Sequence, residues 1–152
     1  MKKICRICGE PKIITEFREY TTRQGKLSRR GECRSCGSHL VMDYVRAHLD
    51  LSVYQNARHQ DKRHGRICGI TREDTRRLLA LPCHYCTLPG GSIDRLDSSI
   101  GHIQANVVPC CLRCNCLKSD MPLEAWLILV PAVREAQLQN AFGSWIGHAS
   151  RR

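Results

Sequence analysis

Eight of the eleven cysteines fall into two quartets with one layout. Cys5-x2-Cys8 is followed, across 24 residues, by Cys33-x2-Cys36, and Cys83-x2-Cys86 is followed across the same gap by Cys111-x2-Cys114. Each CxxC turn presents two sulfurs, and two such turns close a tetrahedral four-thiolate shell, the donor set of zinc. Four thiolates leave no open coordination position, so each such zinc is structural. Between the two pairs of the second quartet lie groups of other chemistry: Asp94-Arg95-Leu96-Asp97, then His102 and Asn106, with Asn115 directly after the last cysteine. Cys110 and Cys116 compete with Cys111 and Cys114 as ligands, and the x2 spacing favours 111 and 114. Cys68 has the look of a half-buried apolar residue.

The elements that must position these groups are small. At 152 residues with 5% aromatics, neither half of the chain can bury much of a core, and metal staples are expected to replace it. An odd cysteine count, CxxC clustering and the absence of an apolar segment after Met1-Lys2-Lys3 argue for reduced thiols in an intracellular compartment over a disulfide framework. No apolar run reaches transmembrane length. The formal charge is +10, and deprotonating two zinc quartets lowers it to roughly +6. Residues 1–66 carry 15 Lys and Arg against 7 Asp and Glu; residues 67–152 carry 9 against 7. A basic, nucleic-acid-gripping first part and a nearly neutral working part follow.

Four segments are expected. Residues 1–38 form a zinc module, with Gly9 and Gly37 closing its two knuckles at positive φ, a short strand from Thr15 to Tyr20, and a basic turn from Thr22 to Gly31. Lys26, Arg29 and Arg30 there are candidate phosphate contacts. Residues 39–66 form a basic linker, helical over 39–64, with the stripe Leu40, Tyr44, Ala47, Leu51. Arg58, Lys62 and Arg63 at its basic end are further candidates for DNA, and His39, His48, His59 and His64 are surface groups. Residues 67–142 form the working domain. A helix capped by Thr71 and Asp74 buries Leu78, Leu79 and Leu81, and Gly90-Gly91 turns into a strand ending near Ile93. A second strand, Asn106 to Pro109, pairs antiparallel with it, and a short helix begins at Cys114. A further helix presents Leu123, Trp126, Leu127 and Val130 before Pro131 breaks or kinks it. His84 points outward from its knuckle, and Thr87 loosens the turn where Gly is usual. Residues 143–152 are expected to be a loose tail.

Strand, loop, strand, helix, with Asp94 ending the first strand and Asn115 at the helix, resembles the HNH endonuclease family, the ββα-metal nucleases, over about residues 71–130. The residues that carry the resemblance are Asp94-Arg95-Leu96-Asp97 and the run Asn106-Val107-Val108-Pro109-Cys110-Cys111-Leu112-Arg113-Cys114-Asn115-Cys116-Leu117-Lys118. They follow the "DRxD…GY/H…NVVPCCxxCNxxK" pattern of small phage and mobile-element nucleases, in which an N-terminal four-cysteine module is common. The resemblance implies an α+β fold: a small zinc-stabilised ββα core preceded by a zinc-knuckle module and a linker helix. It also implies DNA as partner, hydrolysis leaving a 5′ phosphate and a 3′ hydroxyl, and residence in a host cell if phage-encoded. Monomer and homodimer both fit.

Phosphodiester hydrolysis needs charge stabilisation on the leaving oxygen and an activated water, and a divalent cation supplies the first. Asp94 and Asn115, pinned together through Cys111 and Cys114, offer a carboxylate and an amide oxygen, donors suited to one catalytic Mg2+ or Mn2+ beside the two structural Zn2+. Asn106, by the resemblance, braces the inter-strand loop. The family's usual general base, a histidine after the metal-binding Asp, is replaced by Arg95, which cannot accept a proton at working pH. Three substitutes are open: His102, with a pKa suited to the task; Asp97, as base or added ligand; or the cation with no protein base. The rival readings are an impaired HNH relic acting as a zinc-dependent DNA-binding protein, and an interaction module in a phage packaging or recombination complex.

Overall fold

The computed structural model describes residues 1–145. The first strand, β1 (Lys2–Ile4), returns through the first cysteine pair to β2 (Pro11–Ile13), antiparallel with Lys3 opposite Lys12. The turn closes with Gly9 at φ +71°, its N–H bonded to Cys5 O at 2.9 Å. A second hairpin, β3 (Phe17–Thr21) and β4 (Leu27–Cys33), sets Phe17 opposite Cys33 and leads into α1 (Arg34–Ala47). Cys5, Phe17 and Cys33 are the whole buried core of this unit, Met1–His48.

Three expectations change here. The strand expected from Thr15 starts at Phe17, because Ile14–Glu16 coil into a 3-10 turn first. The basic segment from Thr22 to Gly31 is only half turn: Thr22–Lys26 closes the hairpin, and from Leu27 the chain pairs with β3. Gly37 closes no knuckle, because Cys33 is the N-cap of α1 and Gly37 lies inside that helix.

The second unit begins at Leu49. The helix expected over 39–64 is two helices, α1 and α2 (Leu49–Arg63), separated at His48. α2 is not a free linker: Ala57 and Asp61 are buried in this second unit, and Asp50 accepts from Arg72 Nε at 2.8 Å and Arg76 Nη2 at 3.1 Å. In α3 (Arg72–Leu79), Thr71 and Asp74 form a complete capping box. Its buried residues are Asp74 and Thr75, whereas Leu81, expected inside, is exposed after the helix end.

The strands β5 (Ser92–Arg95) and β6 (Val107–Cys110) pair antiparallel, Asp94 opposite Val108. Side chains alternate along a strand. Ile93 packs with Ala57, Ile70 and Val107 on one face, while Ser92 and Asp94 take the other. α4 (Leu112–Lys118) follows β6 directly, then α5 (Leu123–Leu138). α5 runs through Pro131 without a break, held by Trp126 and Val130 in the cluster around the second cysteine quartet, while Leu127 is exposed. The fold is α+β, with three two-stranded sheets among the described residues. No described helix is long and apolar enough to cross a membrane. The tail expected over 143–152 lies, from 146 onward, outside the described residues.

Candidate functional site

Both quartets converge. The Sγ atoms of Cys5, Cys8, Cys33 and Cys36, and those of Cys83, Cys86, Cys111 and Cys114, lie within 4.8 Å of one another in each group. Cys86 and Cys111 stand 3.7 Å apart, close to the roughly 3.8 Å edge of a tetrahedron with zinc–sulfur arms of about 2.3 Å. The two sites share a construction. Each first pair is a knuckle: Thr87, at φ +63°, bonds Cys83 O at 2.9 Å as Gly9 bonds Cys5 O. Each second pair sits on the first turn of a helix, with Cys33 capping α1 and Cys111 capping α4. Backbone N–H groups of Cys33 and Ile7 donate to Cys5 Sγ, and that of Cys114 donates to Cys111 Sγ. Bonding from Cys33 and Cys8 brings the Cys5 thiol down to about 6, while its neighbours, Cys33 foremost, push Cys36 up to about 12. Four adjacent sulfurs cannot all ionise by themselves, and a divalent cation removes that conflict. Cys110 stands 4.0 Å from Cys83 but turns its thiol to Cys111 O, and lies outside the quartet. His84 is exposed on its knuckle.

Asp94 is buried beside the second quartet. Its Oδ2 accepts from Tyr85 Oη at 2.6 Å and faces Lys118 Nζ at 3.1 Å. Lys118, fully buried, also donates to Arg95 O at 2.7 Å. Burial and the Asp94 carboxylate push the Tyr85 phenol above its ordinary range, so it remains a donor. Asn115, one turn before Lys118, donates through Nδ2 to Ser92 Oγ at 3.1 Å and Ile93 O at 3.2 Å. Among the hydrogen bonds of the described residues, every one to these two side chains falls on Asp94 Oδ2 or Asn115 Nδ2. Asp94 Oδ1 and Asn115 Oδ1 remain as hard oxygen donors on the face of β5 that α4 covers. That donor set fits Mg2+ or Mn2+ and not a soft ion.

The other face of β5 has its own cluster. Arg95 Nη1 donates to Ile100 O at 3.3 Å and stands 3.9 Å from Asp61 Oδ1. Burial pulls its pKa below the ordinary guanidinium value, with Arg66 adding to the effect, yet a guanidinium stays charged. His102 donates its backbone N–H to Asp61 Oδ2 at 2.8 Å, and its Nδ1 lies 3.0 Å from the same oxygen. Burial holds the imidazole below its ordinary 6.5, against the opposing effect of its hydrogen bond to the Asp61 carboxylate.

Among the described residues, the Asp97 carboxylate makes no hydrogen bond to either cluster. Its Oδ1 accepts from Ser99 N at 2.8 Å and Ser99 Oγ at 2.6 Å, which lowers its pKa and makes it a weaker base. Asn106 spans the loop: Nδ2 donates to Asp97 O and Gly101 O, and Oδ1 accepts from Asp97 N at 2.9 Å.

The basic candidates divide. Arg29 is committed inside its own unit, donating to Ile14 O at 2.6 Å and Phe17 O at 3.2 Å and pairing with Glu19, so it is a hairpin staple and not an open phosphate contact. Lys26 and Arg30 are exposed, Arg30 lying over the Tyr20 ring. Arg58 and Lys62 line a cleft of about 500 Å3 with Gln55, His59, Arg66 and Cys68. Arg63 is exposed on the same helix.

Four residues of these clusters were not singled out by sequence reasoning: Asp61, Arg66, Tyr85 and Lys118. Lys118 stood in the quoted motif. Asp61, an acid within the basic end of α2, was a signal of charge pairing that spacing alone does not interpret.

No family model matches the chain. An uncharacterized protein of Acanthamoeba polyphaga mimivirus is 29% identical over 66 residues, which is 40% of this chain. The chain matches only 12% of that relative's length. Among solved structures, the chain is similar to the rare-cutting HNH restriction endonuclease PacI, with a TM-score of 0.49 and 17% identity over 91% of this chain and 98% of that one.

Proposed function

We propose that the second unit is a DNA endonuclease of the ββα-metal type, hydrolysing phosphodiester bonds with one divalent cation held by Asp94 and Asn115. The observation that carries this reading is the pair of oxygens, Asp94 Oδ1 and Asn115 Oδ1, left without partners while every other polar atom of the two side chains is anchored. When bound, the cation neutralises charge developing on the leaving oxygen. Tyr85 and Lys118 fix the Asp94 carboxylate, and Ser92 with the Ile93 carbonyl fixes the Asn115 amide, so both donors are oriented beforehand. The cleft lined by Arg58, Lys62 and Arg66 suits a phosphate backbone. His102 is the favoured base, since Asp97 is engaged by Ser99.

The second reading, a DNA-binding relic, is favoured by one observation: the Asp94 carboxylate already has a buried ammonium at 3.1 Å. Supercoiled plasmid with Mg2+ or Mn2+ separates the two. The wild-type chain is expected to nick or cut, and Asn115→Ala and Asp94→Asn to bind DNA without cleaving it. Asn is chosen at 94 because Ala would strand Lys118. Wild-type protein that binds plasmid and leaves it supercoiled with either cation would sink the nuclease reading.

A further inference from the structure

Asp61 is 1% exposed, on a helix that is otherwise polar or basic at this end, and no role falls to it in the reaction above. Both hydrogen bonds to its carboxylate come from one residue, His102, from the backbone N–H and from the ring, and both fall on Oδ2. Oδ1 accepts nothing; Arg95 Nη1, at 3.9 Å, is beyond hydrogen-bond reach. A carboxylate is acceptor-only, so the ring nitrogen facing it must be the donor. A neutral imidazole that donates from Nδ1 carries its lone pair on Nε2, and Nε2 has no hydrogen bond among the described residues.

The backbone around His102 is built to hold that ring. Its carbonyl accepts from Gly69 N at 2.8 Å and Ile70 N at 3.1 Å. The preceding Gly101 lies so close to the chain that an added Cβ would come 2.1 Å from Ile67 O, a contact no side chain tolerates. Asn106 Nδ2 holds the Gly101 carbonyl from the other side. An imidazole with a fixed backbone, a buried carboxylate at Nδ1 and an unbonded Nε2 is an oriented base.

We propose that Asp61 is a positioning residue for the hydrolysis, fixing His102 as the Nδ1–H tautomer so that Nε2 accepts the proton of the attacking water. The proposal rests on the nuclease reading and goes one residue beyond it. The charged and titratable groups around the ring are Asp61 from α2, Arg95 and Asp94 from β5, and, from the segment between α2 and α3, Arg66, whose charge acts on Arg95, and Cys68, whose thiol is pushed up by burial and by Asp61. Burial is the largest influence and lowers the imidazole pKa; Asp61 raises it and Arg95 lowers it. The base is therefore active above a pKa lying below 6.5, and loss of the Asp61 charge moves the acid limb of the rate profile to still lower pH.

Two measurements test this. In wild-type protein, 15N shifts of the His102 ring at neutral pH are expected to report protonated Nδ1 and unprotonated Nε2. Plasmid cleavage by Asp61→Asn is expected to fall about 10²-fold in kcat, with KM little changed and the acid limb displaced downward; the asparagine can donate to Nδ1 and invert the tautomer. Zinc content equal to wild type shows that the variant is folded. A protonated Nε2 in the wild-type ring overturns the proposal even where the variant misfolds. Normal wild-type cleavage, with an unchanged rate and acid limb in Asp61→Asn, overturns this inference alone. A wild-type chain that cleaves nothing overturns the nuclease reading, and the positioning role with it.

Discussion

Replacing Lys118 with Met removes a charge from the least forgiving place in the second unit. The ammonium is fully buried and splits its bonds between Arg95 O at 2.7 Å and Asp94 Oδ2 at 3.1 Å. Methionine roughly fills the volume but leaves a carboxylate that is 5% exposed with only Tyr85 for a partner, and a strand carbonyl with none. Removing one member of a buried ion pair costs about 3–5 kcal/mol, mostly the penalty of the stranded charge. For a unit of this size that lowers Tm by roughly 12–40 °C, at roughly 4–8 °C per kcal/mol. Thermal unfolding followed by tryptophan fluorescence reads it, since Trp126 is buried in the same unit. Two companions sharpen the result. Asp94→Asn combined with Lys118→Met should be more stable than Lys118→Met alone, because the stranded charge is gone. Lys118→Met should also bind Mn2+ more tightly than wild type, because the competing ammonium is absent. A single variant melting within about 3 °C of wild type, or a double variant less stable than the single, would refute the account of Lys118 as the partner of Asp94.

Two further outcomes follow from the same geometry. Elemental analysis should find two zinc ions per chain, one lost in Cys83→Ser and none in Cys110→Ser; chelation should unfold both units, since structural zinc contributes on the order of 10 kcal/mol. Charge reversal at Lys26 and Arg30 should weaken DNA binding and flatten its salt dependence without changing Tm, whereas Arg29→Ala should lower Tm, and the opposite pattern would return Arg29 to the phosphate contacts.

The metal quartets were legible because ligand spacing constrains geometry at short range: a CxxC pair must put two sulfurs together whatever surrounds it. The ββα order was legible for a related reason. Gly90-Gly91 and the Val107-Val108 run are local signals, and the second cysteine quartet joins their ends, although the helix expected from Cys114 starts at Leu112 with Cys111 as its cap. What the spacing could not convey is that the two pairs of each quartet differ. Gly37 and Gly9 look alike beside a CxxC, yet one lies in a helix and the other at positive φ. Thr87 takes the left-handed position that Gly9 takes, because Cys83 O needs its N–H in either case. The division of 39–66 was illegible because it depends on tertiary contacts. The burial of Ala57 and Asp61, the bonds of Asp61 to His102 and the pairing of Asp50 with Arg72 and Arg76 assign α2 to the second unit. Arg29 was misread for the same reason, since its three partners lie 10 to 15 residues away.

The question of the missing histidine turns on strand alternation. A motif written as a string places residue 95 next to residue 94, as if the two shared one neighbourhood. On β5 they point to opposite faces: Asp94 to Tyr85 and Lys118, Arg95 to Asp61 and Ile100. A residue that replaces a base at position 95 therefore has to be compared with whatever else reaches the α2 side, and His102 does, seven residues on. Arg95 and His102 stand against opposite oxygens of one buried carboxylate. A histidine at 95 would compete with His102 for Asp61; an arginine there leaves Oδ2 to the imidazole and adds a permanent positive charge to the burial that already holds the His102 pKa down. In the nuclease reading proposed above, Arg95 and His102 would divide the work of one residue, charge at the strand and proton acceptance at the loop, a separation that follows from the two-residue period of the strand.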